Sequence, residues 1–449
     1  MNQKKKSDVA VLLDYAGSHK GLTFLGLALS AVSMLLSMAP VACAEEPVTI
    51  SFQTWNPGDS DELWEIIDAF EAEHPNIKID YIYMPYSDHI ADMQIKMNNG
   101  EGPDVYGMQT GATYNEFRPY EVDLSPYAEA SWGEGWQSKF LDFCMDLLNV
   151  DGQYYGLPLG LTYAGFLWAD VEKLDSYGLK VPTNYDELLS VCTALREKGE
   201  LPLVIGAKDD WINIDTWLNI ANDINTQMVY DAIDGKASFT EPDMVKAFEI
   251  WQSLFTSGIF QDGCIGVNMY NDTTDLWEYG EAALALNGSW ASGLYVVSDE
   301  EKYEVFNHEG ADHDAFLMDW DNDGDTAGIQ ASIDVVLCMN ANSEHKDEAW
   351  EFIDFMLHYG QDILINKALQ YFPSRTDLVL DVAGLSEDGT ESLNYIIDQS
   401  KTNIAGYREM AYADLKQAIC EALKALGTGE MTPEEAGAYV QAASEAQAR

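Results

Sequence analysis

The sequence predicts an α/β protein built as two lobes, and three observations carry that expectation. From Val48 to Met108 the chain alternates strand, helix, strand, helix, strand, the mark of a mostly parallel sheet with helices packed on it. The 449 residues exceed the roughly 100–200 of a single domain. The run Tyr155–Trp168, YGLPLGLTYAGFLW, is apolar but broken by Gly and Pro. It is too interrupted for a helix and too long for one strand of one lobe, and a strand passing between two lobes has this character.

The elements follow in order. A strand covers Val48–Thr54, and Trp55-Asn-Pro-Gly58 ends it. Ser60 is a plausible N-cap, after which Leu63, Ile66, Ile67 and Phe70 recur at helical spacing until His74-Pro75-Asn76. Ile77, Ile79, Tyr81 and Tyr83 alternate as a second strand. Ile90, Met93 and Met97 line a second helix closed by Gly100 and Gly102, and Asp104–Met108 is a short third strand. Further on, Thr183 is expected to cap a helix with Asp186 in the capping-box position, and Gly199 to end it. Helices are expected over 242–255, 343–357 and 415–426, and Thr432-Pro433-Glu434-Glu435 starts a last one with Pro at its first position.

Residues 1–44 form a separate object. Lys4, Lys5, Lys6 and Lys20 flank an uncharged stretch, Gly21–Ala44, that ends in small residues; this is the pattern of an export signal. Two processing readings stay open. Ala42-Cys43-Ala44 fits small-x-small cleavage, which makes Glu45 the mature N-terminus. Val41-Ala42-Cys43 resembles the end of a lipobox, which makes Cys43 the lipid-modified first residue, although Pro40 stands where Leu is usual.

Composition excludes several classes. Hydrophobic residues make up 47% of the chain, with 12 Trp and 24 Tyr, which is incompatible with intrinsic disorder. The net charge is −52, and removing the leader's four Lys and two Asp leaves 20 basic against 74 acidic residues. Such a surface does not bind nucleic acid. Beyond Cys43 the cysteines are Cys144, Cys192, Cys264, Cys338 and Cys420. None lies at CxxC or metal-site spacing, so they read as buried apolar thiols, and the odd count argues against a complete disulfide framework.

Enzyme signatures are missing: there is no GxxxxGK[ST], HExxH, GxSxG or post-strand GxGxxG. Among so many carboxylates a pair of acids carries no information. One acidic cluster is sharper: Asp319, Asp321, Asp323 and Asp325 with Gly324 copy the start of a calcium loop. Position 12 is Gln330, which offers no bidentate carboxylate, so a solvated turn is expected and no metal or cofactor is assigned.

Aromatic residues where strands run into loops are more informative. Trp55 follows the first strand, Gln109, Thr110 and Tyr114 follow the third, Trp211 sits in KDDWINID, and Trp290 ends ALALNGSW. In open α/β sheets ligands bind beyond the carboxyl ends of the strands. Flat rings beside amides and carboxylates suit a neutral polyol.

With these residues in view, the chain resembles the family 1 extracellular solute-binding proteins, the maltose-binding-protein-like receptors of ABC importers. The matching segments are Trp55, Gly102-Pro-Asp-Val105, Asp151-Gly-Gln-Tyr-Tyr-Gly-Leu-Pro158, Gly280-Glu-Ala-Ala-Leu-Ala-Leu-Asn-Gly-Ser-Trp290, Ala349-Trp-Glu-Phe-Ile353 and Phe372-Pro-Ser374, in family order. The resemblance implies a type II periplasmic-binding fold, two α/β lobes joined by crossing strands with a ligand cleft between them. It implies one lobe of 45–158 plus 284–327 and another of 160–283 plus 328–449. The family's sugar site carries over to Trp55, Gln109, Thr110, Tyr163, Trp211, Asp215, Trp290, Arg375 and Tyr412.

The expected function is capture of a mono- or oligosaccharide by hinge closure and delivery to the permease subunits of an ABC importer, by a monomeric, non-enzymatic receptor. Its expected location is outside the cytoplasm, as a cell-surface lipoprotein or a periplasmic protein. A receptor of the same fold for polyamines or other cations is the first alternative, because Asp215 would suit one. A secreted carbohydrate-active enzyme using paired carboxylates is the second.

Overall fold

The structure is a computed structural model that describes residues 47–295, 313–382, 385 and 387–447. The expected export segment and Cys43 lie outside these residues. Among the described residues, no helix is long and apolar enough to cross a membrane.

The first lobe forms as its periodicity predicts. Strand β1 (Val48–Thr54) leads to helix α1 (Asp61–Glu73), whose cap Ser60 accepts the Leu63 N–H at 3.2 Å and whose stripe Leu63, Ile66, Ile67 and Phe70 is buried. Strand β2 (Ile77–Tyr83) pairs in parallel with β1 from Val48↔Ile77 to Thr54↔Tyr83. Helix α2 (Tyr86–Asn99) stops at Gly100, where φ of 74° suits glycine. Strand β3 (Val105–Met108) lies on the other side of β1.

The Gly- and Pro-broken run does cross between lobes. Its residues Gly156–Ala164 form strand β4, buried at every position, and Leu167–Asp170 form β5 in a second sheet. Gly165 makes the connection with φ of +103°, and a Cβ there would stand 2.6 Å from the Asn219 side chain, so only glycine fits the crossing.

Helix α3 (Tyr185–Lys198) begins one residue later than expected. Asn184, not Thr183, accepts the N3 amide, that of Glu187, at 3.0 Å, while the Glu187 carboxylate reaches back to Thr183. After β6 (Leu201–Val204) comes helix α4 (Asp210–Ile233), kinked at Asn225, which no sequence periodicity predicts. Ile212 through Asn222 are buried without a break. A helix enclosed on all sides carries no amphipathic stripe to find. Helix α5 (Pro242–Thr256) matches its expectation.

Strands β7 (Ala282–Leu286) and β8 (His313–Phe316) complete the second sheet, in the order β8-β5-β7-β6. Strand β9 (Ile329–Met339) returns to the first sheet, ordered β2-β1-β3-β9, with β4 also paired to β9. Helix α6 (Lys346–Phe355) then packs Phe352 edge-on against Phe52 and Phe70, each at 5.1 Å. Helix α7 (Glu387–Thr402), strand β10 (Ile404–Tyr407), and helices α8 (Ala413–Thr428) and α9 (Pro433–Ala446) follow. The last has Pro433 at its first position, as expected, and a capping box between Thr432 and Glu435.

Strand pairing corrects the division of the chain. Residues 284–327 were expected in the first lobe, yet β7 and β8 belong to the second sheet. Residues 328–449 were expected in the second, yet β9 pairs with β3 and α6 packs on the first core. Apolar strands such as AALAL carry no local record of which sheet they enter. Helices α8 and α9 do pack in the second core, where Trp251 donates to the Leu423 carbonyl at 2.9 Å and Trp217 stacks on Phe248. The five cysteines of the described residues are free and buried.

Candidate functional site

The site grows from one irregularity in the first sheet. A single edge of β9 pairs with β10 through Ile329–Ala331 and with β3 through Val336–Met339. Strand β10 is parallel to β9 and β3 antiparallel, so the carboxyl ends of both point into the gap at 332–335. Within it the register against β4 also breaks, between Ile333 and Val335 and again between Val335 and Val336, as a β-bulge does. The residues that leave the two strand ends therefore converge. Gln109 and Thr110 follow β3, Arg408 follows β10, and Ser332 and Asp334 rise from β9 itself.

These residues form one buried polar network. Asn56 donates to Asp334 Oδ2 at 2.7 Å and Gln109 to Oδ1 at 3.3 Å, while Thr110 and Ser332 share a hydrogen bond of 3.0 Å. Arg408, 4% exposed, sends Nη1 to Asp334 Oδ1 at 3.4 Å. Its Nε donates to both oxygens of Asp215 at 3.0 Å, and Nη2 lies 2.9 Å from Asp215 Oδ2. Burial pulls the Asp215 and Asp334 carboxyls upward, and the guanidinium restrains both. Burial works against the charge of Arg408 too, but Asp215, Glu409 and Asp334 outweigh it and hold that group above its ordinary value. Glu409 is paired with Lys416 at 2.7 Å. Each charge thus has a partner, as a buried charge must.

Three aromatic rings of the second lobe stand beside this network. Trp211 opens α4 and stacks on Tyr270, with centroids 5.7 Å apart and planes 22° apart. Trp290 meets Trp211 edge-on at 5.7 Å. The Arg408 guanidinium covers a face of Trp290 at 4.4 Å from its centroid, and a Cβ on Gly288 would stand 2.1 Å from the same ring. Tyr270 differs: 48% of its surface is open, although Asp334, Arg408 and Asp215 all act on its hydroxyl. A ring surrounded by protein yet open to solvent lines a cleft. A small pocket of about 260 Å³ of empty space, its open mouth included, adjoins it, lined by Phe166, Asp215, Asn219, Asn287, Trp290 and Trp320.

The residues predicted for binding divide accordingly. Gln109, Thr110, Trp211, Asp215 and Trp290 come together at the notch. Trp55 is half-buried nearby, edge-on to Tyr86 at 5.0 Å and against His89 at 5.3 Å. Tyr163 is buried in β4 with its ring against Phe372, and its N–H donates to Ser289 Oγ at 2.9 Å. Arg375 lies apart: its guanidinium is held by Asp377 and by the Leu357 and His358 carbonyls of the first lobe. Tyr412 is the N-cap residue of α8, half-buried against the second core. Asp334, Arg408 and Tyr270 were missed. A lone Asp in the apolar run IQASIDVVLCM was a usable signal; for Tyr270, in the turn Met269–Thr273, none existed.

The acidic loop builds a turn. Asp319 accepts the Asp323 and Gly324 amides at 3.1 and 3.0 Å, and Asp323 accepts that of Asp325 at 2.9 Å. Asp223 of α4 joins it by accepting the Trp320 N–H at 2.5 Å, and Asp223, Asp319 and Asp321 each bring a carboxylate oxygen within 4.8 Å of the others.

Comparison with known proteins agrees with this architecture. A family model described as bacterial extracellular solute-binding protein matches residues 55–361. A multiple sugar-binding protein of Streptococcus mutans serotype c is 23% identical over 327 residues, covering 70% of this chain and 71% of that protein. A structure reported for xylan utilization by the thermophilic bacterium Caldanaerobius polysaccharolyticus superposes with a TM-score of 0.75 at 23% identity, over 88% of this chain and 99% of its own. A chitin oligosaccharide binding protein gives a TM-score of 0.74 at 18% identity, over 89% and 99%. Likeness at this level shows a shared fold, the two-lobed type II periplasmic-binding fold.

Proposed function

The chain belongs to the bacterial extracellular solute-binding proteins, and on that premise we propose that it captures a carbohydrate in the cleft beside Tyr270 and passes it to the permease of an ABC importer. The observation that carries this reading is the open Tyr270 ring stacked on Trp211 at the edge of a buried amide–carboxylate network. Rings of this kind cover the weakly apolar C–H faces of a sugar, and the polar groups beside them take its hydroxyls. The names of the relatives, a multiple sugar-binding protein and a chitin oligosaccharide binding protein among them, support the same class. The binding residues are Trp55, Gln109, Thr110, Trp211, Tyr270 and Trp290, with Asp334, Asp215 and Arg408 as the polar floor.

The protein acts as a receptor without chemistry of its own, because Asp215 gives both oxygens to Arg408 and Asp334 is engaged by Asn56, Gln109 and Arg408, so the two are not poised as an acid and a base. The same engagement counts against a cationic ligand, since Asp215 was the group on which that alternative rested. The protein is exported and works as a monomer at the outer face of the membrane, either tethered through Cys43 or free after cleavage.

A thermal-shift screen against monosaccharides, oligosaccharides and polyamines tests this. A sugar at ~100 times its dissociation constant should raise stability by about 2.7 kcal/mol. A shift with polyamines alone would defeat the carbohydrate assignment, and release of products from a glycan would defeat the receptor.

A further inference from the structure

The gap in β9 interrupts the ladder as well as forming a binding floor. Its two flanks pair with different strands along that edge. Val336–Met339 are bound to β3 and the first core, while Ile329–Ala331 are bound to β10, which runs directly into a segment anchored in the second lobe. That anchoring is specific. Arg408 is held by Asp215 of α4, laid on Trp290 and backed by Glu409, which is itself paired with Lys416 of α8. Met410 is buried in the second core.

The side-chain contacts of the pair separate by lobe, while the Arg408 N–H donates to the Ala331 carbonyl of β9 at 2.9 Å. Asp334 receives Asn56 and Gln109 from the first lobe. Arg408 takes Asp215 and Trp290 from the second. Either set survives a rotation of one lobe against the other. What a rotation changes is the single contact between the sets, Arg408 Nη1 to Asp334 Oδ1 at 3.4 Å. The same segment touches the first lobe at another point, where Ala112 donates its N–H to the Met410 carbonyl at 2.8 Å.

We propose that the lobe arrangement of this structure is the closed one and that Arg408 and Asp334 form a brace across the β9 bulge that favours it whether or not a ligand is bound, with Arg408 as the positioning residue for closure. The guanidinium is fixed in advance by Asp215 and Trp290, so little further side-chain freedom is lost when it meets Asp334. On opening, Asp334 keeps two amide donors but loses its cation, so the brace biases the lobe equilibrium directly. This goes beyond carbohydrate capture and holds for any ligand.

The distance between spin labels on Asp68→Cys and Glu197→Cys, one exposed helix position in each lobe, reads the equilibrium in ligand-free protein. The five cysteines of the described residues are buried and leave those two sites for labelling. Asp334→Asn should raise the ratio of open to closed distances by about tenfold or more. Arg408→Lys keeps the charge but not the fork, and should raise it by less; it also serves if Asp334→Asn folds poorly. Identical distance distributions in wild type and both variants would overturn the brace. So would a lowered urea midpoint with unmoved distances, because that is the mark of a purely structural pair.

Discussion

The guanidinium of Arg408 lies 4.4 Å from the centre of the Trp290 ring, while Tyr270, stacked on Trp211, keeps 48% of its surface open. Two aromatic residues of one cleft therefore have different duties. Trp290 is committed to holding a cation, and Tyr270 is free to meet a ligand.

Their alanine variants should separate these duties. Tyr270→Ala should weaken sugar binding about tenfold, or ~1.4 kcal/mol, with little loss of stability, since an open ring contributes mainly through stacking on its ligand. Trp290→Ala should lower stability by about 3 kcal/mol as well as affinity, because it removes ring packing and a desolvated cation–π contact together. Calorimetric titration and urea unfolding of both variants check the contrast.

Asp215→Ala should be the more damaging change at the polar floor. It leaves the buried Arg408 without its closest partner, and breaking a buried pair from one side costs about 3–5 kcal/mol. Adding Arg408→Met to that variant should recover part of the loss, as no unpaired cation then remains. Urea midpoints of the single and double variants measure the difference.

His89 sets a pH dependence. It is buried beneath Trp55 with Nε2 2.9 Å from the Gly107 carbonyl, and burial lowers its pKa from 6.5 to about 4. Between those values the unfolded chain binds the proton and the folded one does not, so stability rises with pH across the window. Going from pH 7 down to pH 4 should therefore remove about 3 kcal/mol from this residue. His89→Gln, which keeps a donor without the titration, should flatten that part of the stability–pH curve followed by urea unfolding.

Much of the first lobe was legible because its signals are local. Ser60, the Leu63–Phe70 stripe and the glycine after Asn99 act within a turn or two of themselves. Residues that follow strands could be marked for the cleft for the same reason: Gln109 and Thr110 inherit their position from β3. The first part of α4 was hidden because a stretch buried on every side, here Ile212–Asn222, loses its stripe. Arg375 lies away from the notch because a guanidinium goes to the nearest acceptors in space, here Asp377 and the Leu357 and His358 carbonyls.

By itself the sequence determined the α/β class, the crossing run at Gly156–Ala164, the capped helices and the family. It did not determine which sheet β7, β8 and β9 enter, since strand pairing is made between distant segments and leaves no periodic trace. That choice decided the site. Arg408 meets Asp215 across 193 residues and Asp334 across 74, and only the parallel seat of β10 on β9 brings the three together. A buried charge persists where its partners are, and the fold alone supplies them.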